Sequence, residues 1–151
     1  MGIFNAPEEL MLNVRLIKGA DLPKKISMIR QNPYIEMTVD GKKIMLKSRV
    51  ERGTSTPEWN EDFQIIFRPA QHSTLHLWLC NSNSLRRDDI LSSVQIDLNR
   101  FTIGQKCTFW EDLVPEEGLR YGGKINISVL IEDSVRKSNE RFGFLNKSRF
   151  S

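Results

Sequence analysis

Cysteine is scarce, with two in 151 residues, so a scaffold held together by disulfides is excluded. No uncharged apolar stretch exceeds a handful of residues, against the roughly 20 that a membrane-spanning helix needs. Glycine and proline number nine and six, too few for a collagenous or low-complexity chain. Histidine is nearly absent. His72 and His76 sit where a turn enters a strand, not on one helical face, which argues against a zinc pair. There is no Gly-x-Ser-x-Gly, no glycine-rich phosphate loop and no Cys-x-x-Cys, so no enzyme is expected. No basic segment with an apolar core opens the chain, so no secretory leader is expected. The sequons Asn126-Ile127-Ser128 and Asn146-Lys147-Ser148 then lack a glycosylating context, and Cys80 and Cys107 read as core or face residues in a reducing compartment. Met1-Gly2 invites myristoylation, but Ala6 stands where Ser or Thr is preferred. What remains is globular composition, 39% hydrophobic and 27% charged, over the length of one ordinary domain.

Charge is unevenly placed. Residues 134–151 carry Arg136, Lys137, Arg141, Lys147 and Arg149 against Glu140, so the overall +3 leaves the rest of the chain at −1. A near-neutral body offers no global field for nucleic acid, and none is expected as a partner. Any basic surface in the body must be a local patch.

Period-two alternation dominates the body. Leu10, Leu12, Val14 and Leu16 alternate with Met11, Asn13, Arg15 and Ile17, and the run ends at Lys18-Gly19. Ile35, Met37 and Val39 alternate with Tyr34, Glu36 and Thr38 ahead of Asp40-Gly41, the signal of a type I′ turn. A two-residue hairpin there sets Val39 opposite Lys42, Met37 opposite Ile44 and Ile35 opposite Leu46. Further strands are expected over 63–67, 75–80, 94–98 and 124–131, with a helical turn at most over 29–32 and 98–101. Together these give an antiparallel all-β sandwich of about seven or eight strands. The expected organisation is an extension over 1–9, a domain over 10–133, and a basic, phenylalanine-bearing flexible tail over 134–151.

Five motifs, in order, resemble those of C2 domains. The first is Leu12-Asn13-Val14-Arg15-Leu16-Ile17-Lys18-Gly19-Ala20-Asp21-Leu22, and the second is Asn32-Pro33-Tyr34-Ile35. Thr56-Pro57-Glu58-Trp59-Asn60-Glu61-Asp62-Phe63 is similar to the family's Asn-Pro-x-Trp-Asn-Glu-x-Phe. Asp89-Ile90-Leu91-Ser92-Ser93-Val94 resembles its Asp-x-x-Gly segment with Ser for Gly, and Trp110-x-x-Leu113 followed by residues 123–131 resembles its closing part. The resemblance implies an eight-stranded Greek-key sandwich of type II arrangement, with membrane targeting as its general role.

In calcium-binding members of the family, five Asp residues in two loops hold the metal. The corresponding positions here are Ile26, Asn32, Asn81, Asn83 and Asp89, so a single carboxylate is kept. Calcium wants six to eight oxygens, with carboxylate charge setting the affinity. No cofactor is therefore expected, although Asp21 and Asp88 are acidic neighbours; Asn is also simply a favoured loop residue. The same loops carry Lys24, Lys25 and Arg30, and Arg86 and Arg87. Such cations supply roughly 1 kcal/mol each near an anionic bilayer, and Ile26, Met28, Ile29 and Leu85 are candidates to enter the headgroup region. The plainer alternative is solvated cations with aliphatics packed inward.

By alternation Lys43, Met45, Lys47 and Arg49 share one strand face, and Tyr34 and Trp78 are placed beside it. The resemblance implies phosphoinositide headgroup binding there, although Glu36 and Thr38 stand where the family has lysines. Edge-strand lysine also serves simply to block aggregation. The expected function is calcium-independent binding of anionic phospholipid membranes by a cytoplasmic, peripheral membrane protein. The alternative is a protein-interaction module using Trp78, Tyr34 and Met45.

Overall fold

The alternating segments form strands in a computed structural model of the chain, which describes residues 9–42 and 45–134. In chain order these are β1 (Leu10–Ala20), β2 (Pro33–Val39), β3 (Leu46–Lys47), β4 (Glu58–Phe67), β5 (Thr74–Asn81), β6 (Asp89–Asp97), β7 (Cys107–Asp112), β8 (Val114–Pro115) and β9 (Lys124–Asp133). They make two antiparallel sheets, ordered β4-β1-β9-β7 and β3-β2-β5-β6-β8. The chain crosses between the sheets repeatedly, as a Greek-key sandwich requires. The described residues form nine strands against the eight expected; seven are long, and β3 and β8 are two-residue edge pieces. One 3-10 turn, Leu98–Arg100, occupies the second helical position read from the sequence, whereas residues 29–32 contain none.

The core is the set of inward alternating residues. Leu12, Val14 and Leu16 of β1 meet Ile35 and Met37 of β2 and Leu75, Leu77 and Leu79 of β5, each at most 1% exposed. Ile125, Ile127 and Val129 of β9 complete the layer. The Trp59-Asn60 pair has a backbone reason. Leu16 pairs with Glu61 but Lys18 with Glu58, a bulge in which Asn60 adopts φ +48° while the Trp59 ring turns fully inward. Asparagine tolerates that left-handed backbone better than most residues.

The Asp40-Gly41 turn forms, with both residues at positive φ and the Lys42 N–H donating to the Val39 carbonyl (3.2 Å). Pairing then resumes two residues later than expected, Met37 opposite Leu46 and Glu36 opposite Lys47. An even slip preserves the faces, so Leu46 still points inward.

Both ends of the described chain sit together, with Leu10 opposite Asp133. The opposite end of the sandwich carries the connections 21–32, 48–57 and 82–88, with the 116–123 connection at the same end. Close packing of the 116–123 connection is visible at Ser92, whose hydroxyl donates to the Gly122 carbonyl (2.7 Å). A Cβ on Gly122 would lie 2.1 Å from the Leu113 carbonyl oxygen. Gly122→Ala is therefore expected to destabilise the domain by about 2–3 kcal/mol in urea denaturation; an unchanged midpoint would refute this packing.

Candidate functional site

The three loops converge because asparagine amides pin them to one another. The Asn32 N–H donates to Asn81 Oδ1 (2.7 Å), and its Nδ2 donates to the Ser82 carbonyl (3.3 Å). Its Oδ1 accepts the Gly53 N–H (2.9 Å), so all three loops meet at this side chain. Asn81 Nδ2 donates to Asn83 Oδ1 (3.2 Å), and Asn83 Nδ2 donates to the Arg87 carbonyl (2.8 Å) and Asp89 Oδ2 (3.0 Å). Four of the five positions matched to the calcium site are thus together. Ile26 is not among them; its side chain is fully solvent-exposed. Its neighbour Lys25 reaches in instead, with Nζ 3.8 Å from Asp89 Oδ1. Arg86 approaches the same carboxylate from the other loop, at 3.3 and 3.4 Å, and its Nη2 donates to Ser27 Oγ (3.3 Å).

This donor set does not fit a calcium ion. Every asparagine Oδ1 already accepts a hydrogen bond from within the network, and the Asp89 carboxylate, 8% exposed, is shared by Lys25, Arg86 and Asn83. Asp88 turns away, accepting from the Tyr34 hydroxyl (2.5 Å) and the Asn83 N–H (2.9 Å). Asp21 pairs with Lys124 at 3.7 Å. Among the described residues no group of three or more acidic, His or Cys side chains is placed to hold a metal.

Around this network the loop tips are apolar and basic. Ile26, Ile29 and Leu85 are 105%, 90% and 93% exposed, and Lys24, Arg30, Arg86 and Arg87 are exposed beside them. Between the loops lies an open cleft of about 630 Å³ lined by Ile29, Arg30, Leu85 and Arg86. Arg52, from the second loop, also lines it. The sequence reading missed Arg52 because the motif positions draw only on the first and third loops. Met28 corrects an expectation: it is 4% exposed and joins the core. A turn closed by the Met28 N–H on the Lys25 carbonyl (3.0 Å) swings it inward, where its sulfur accepts the Lys25 N–H (3.3 Å).

The strand face is less basic than its alternation suggests. Lys43 lies outside the described residues. Met45 and Lys47 are exposed, and the Lys47 ammonium sits 4.4 Å from the centre of the Tyr34 ring. Glu36 pairs with Trp78 across the same face, and Trp78 stacks on His76 with centroids 3.6 Å apart. Burial holds the His76 imidazole below its usual pKa. Arg49 leaves the face because the strand ends at Lys47 and Ser48 turns inward to Ile35. Its guanidinium reaches the carbonyls of Glu58 and Trp59 and the Glu51 carboxylate (3.4 Å). Tyr34 is 3% exposed, its hydroxyl committed to Asp88. Burial, then that carboxylate, push the Tyr34 phenol well above its ordinary pKa. Two further cations, Lys18 and Lys124, flank the half-exposed Trp110 on the other sheet, at 5.9 and 5.3 Å.

For Asp88, burial raises the carboxyl pKa, but the hydrogen bonds from Tyr34 and Asn83, with Lys47 nearby, outweigh it and hold the group below its ordinary value. A depressed folded-state pKa stabilises the fold above the unfolded value and loses that contribution as pH falls through the folded one. Tyr34→Phe should therefore cost about 1–2 kcal/mol at neutral pH, with the gap to wild type narrowing at acid pH. Urea denaturation at pH 7 and again in acid, at about pH 3, checks this; an equal gap at both would refute the coupling.

Comparison with known proteins agrees with this architecture. The sequence model of the C2 domain family matches residues 10–113. Human synaptotagmin-7 is 29% identical over 133 residues, covering 85% of this chain and 33% of that protein. The multiple C2 domain and transmembrane region protein 2 of Arabidopsis thaliana is 33% identical over 99 residues, covering 65% of this chain and 10% of that protein. The chain thus spans a third or less of these relatives. Among solved structures, a C2 domain of plant extended synaptotagmin 1 superposes with a TM-score of 0.75 at 21% identity, over 85% of this chain and 97% of that one. Human GIVD cytosolic phospholipase A2 superposes at 0.72 and 21%, over 85% of this chain and 17% of that one. The motif order, the two-sheet topology and the family match over most of the described domain agree: this chain belongs to the C2 domain family.

Proposed function

We propose that the domain binds anionic phospholipid membranes through its three-loop end without calcium, bringing the protein that carries it to a membrane surface as a peripheral component. The observation that carries this reading is the pairing of three fully exposed aliphatic tips, Ile26, Ile29 and Leu85, with the surrounding Lys24, Arg30 and Arg87. Exposed aliphatic side chains ringed by cations suit a bilayer interface, where the charges find anionic headgroups and the tips leave water. Lys25 and Arg86 already neutralise Asp89, so the loop end carries net positive charge with no added metal. No helix among the described residues is long and apolar enough to cross a membrane, and attachment through loops needs none.

Phosphoinositide binding on the β2–β3 face is a subsidiary part of the proposal and rests on Lys47 with Trp78. The buried, committed Tyr34 and the withdrawn Arg49 reduce what that face offers a headgroup. A protein-docking role for the same face is favoured by one observation, the half-exposed Trp78–His76 stack beside exposed Met45. Of the basic tail, residues 135–151 lie outside the described residues.

Cosedimentation with phosphatidylserine vesicles tests the loop mechanism. Replacing Ile26, Ile29 and Leu85 together by Asn should leave the urea midpoint nearly unchanged, since these side chains pack against nothing. The same change should weaken vesicle binding at least about tenfold. Lys24→Glu with Arg87→Glu should weaken it similarly and flatten its dependence on salt. Unaltered binding in both variants would move the interface elsewhere.

A further inference from the structure

We propose that Ser27 is a phosphorylation site for a serine kinase that selects basic residues two and three places upstream, and that Arg86 receives the phosphate. Among the serines of the described residues, only Ser27 has a basic residue at both places, Lys24 and Lys25. Kinases of this class recognise substrates by such charge patterns. The side chain is exposed at the tip of the first loop, next to Ile26. By contrast Ser48, Ser73, Ser92, Ser128 and Ser134 are buried. The Lys25–Met28 turn that holds Ser27 is closed by one backbone hydrogen bond of 3.0 Å and by the Lys25 N–H on the Met28 sulfur (3.3 Å), so local opening can present the segment to a kinase.

The surroundings of the hydroxyl are already arranged for an anion. Arg86 Nη2 lies 3.3 Å from Ser27 Oγ, on a guanidinium whose contacts with Asp89 are long, 3.3 and 3.4 Å. In the reaction the Ser27 oxygen attacks the γ-phosphorus of ATP and its proton passes to the kinase's base. The new O–P bond forms as the bond to the β-phosphate oxygen breaks, and ADP leaves. The product is close to a dianion with three acceptor oxygens, a stronger partner for a guanidinium than a carboxylate already shared with Lys25 and Asn83. Arg86 then turns from Asp89 to the phosphate. The loop end loses about two units of positive charge at the point where the aliphatic tips would meet lipid. This consequence rests on the membrane reading above, whereas the site and its Arg86 partner do not.

The full chain is treated with Mg-ATP and the catalytic subunit of cyclic-AMP-dependent kinase, which reads basic residues at those two places, and the product is mapped by mass spectrometry. Phosphate on Ser27, absent in Ser27→Ala, is expected. Phosphorus NMR titration should show a phosphate pKa lowered relative to a phosphoserine peptide, with the shift lost in Arg86→Gln. Affinity for phosphatidylserine vesicles should fall about thirty-fold on phosphorylation, while Ser27→Ala binds as wild type. Failure to label Ser27, or a titration indifferent to Arg86, overturns the inference; unchanged vesicle affinity of the phosphorylated protein overturns its membrane consequence. If unmodified protein never binds vesicles, the membrane reading falls, and the labelling and NMR results alone decide the Ser27 site.

Discussion

One carboxylate organises the three-loop end of this domain. Asp89, buried at the start of β6, faces the Lys25 ammonium from the first loop and the Arg86 guanidinium from the third, with the Asn83 amide between them. A buried carboxylate without a partner would be costly, and two cations with an amide donor offset that cost. The pairing fixes the relative position of loops that carry Ile26, Ile29 and Leu85, so the apolar tips are presented together. Side chains hold the loops in register, through charges that are covalently part of the chain.

Permanent charge has physical consequences that differ from those of a bound ion. The positive character of the loop end resides in covalently attached side chains and does not depend on the concentration of a free ion. Such a surface responds to ionic strength through screening and to covalent addition of negative charge. The asparagines complete the network. Each asparagine amide brings a donor, and the donors at Asn32, Asn81 and Asn83 are spent on Ser82, Asn83, Asp89 and the Arg87 carbonyl.

Much of this was legible in the sequence, and the failures have local causes. Period-two alternation located the long strands, and the Asp40-Gly41 turn formed where its two positive-φ positions required it. Register beyond that turn falls two residues later than a two-residue hairpin sets it, although parity kept the faces right. The beginning of β6 was hidden by a bulge opposite Leu79 and Cys80, which breaks alternation at Leu91 and Ser92. Strand β7 was missed because, as an edge, it buries only alternate residues partially and reads as mixed polar sequence. In the site, residue types singled out the first and third loops, and the fold brings Asn32, Asn81, Asn83 and Asp89 of those segments together. Side-chain direction was beyond reach: Met28 turning inward, Ile26 outward and Arg49 across to β4 each depend on a particular turn or strand end. The Tyr34–Asp88 bond joins residues 54 apart, and only the folded sheet brings them together.

The central claim is that fixed cations at the loop end do the work for which related domains recruit a divalent ion. Flotation of the full chain with phosphatidylserine vesicles, run side by side in millimolar calcium and in excess chelator, tests it most directly. Equal recovery with the vesicles under both conditions is the expected result. Binding that appears only when calcium is added would contradict it.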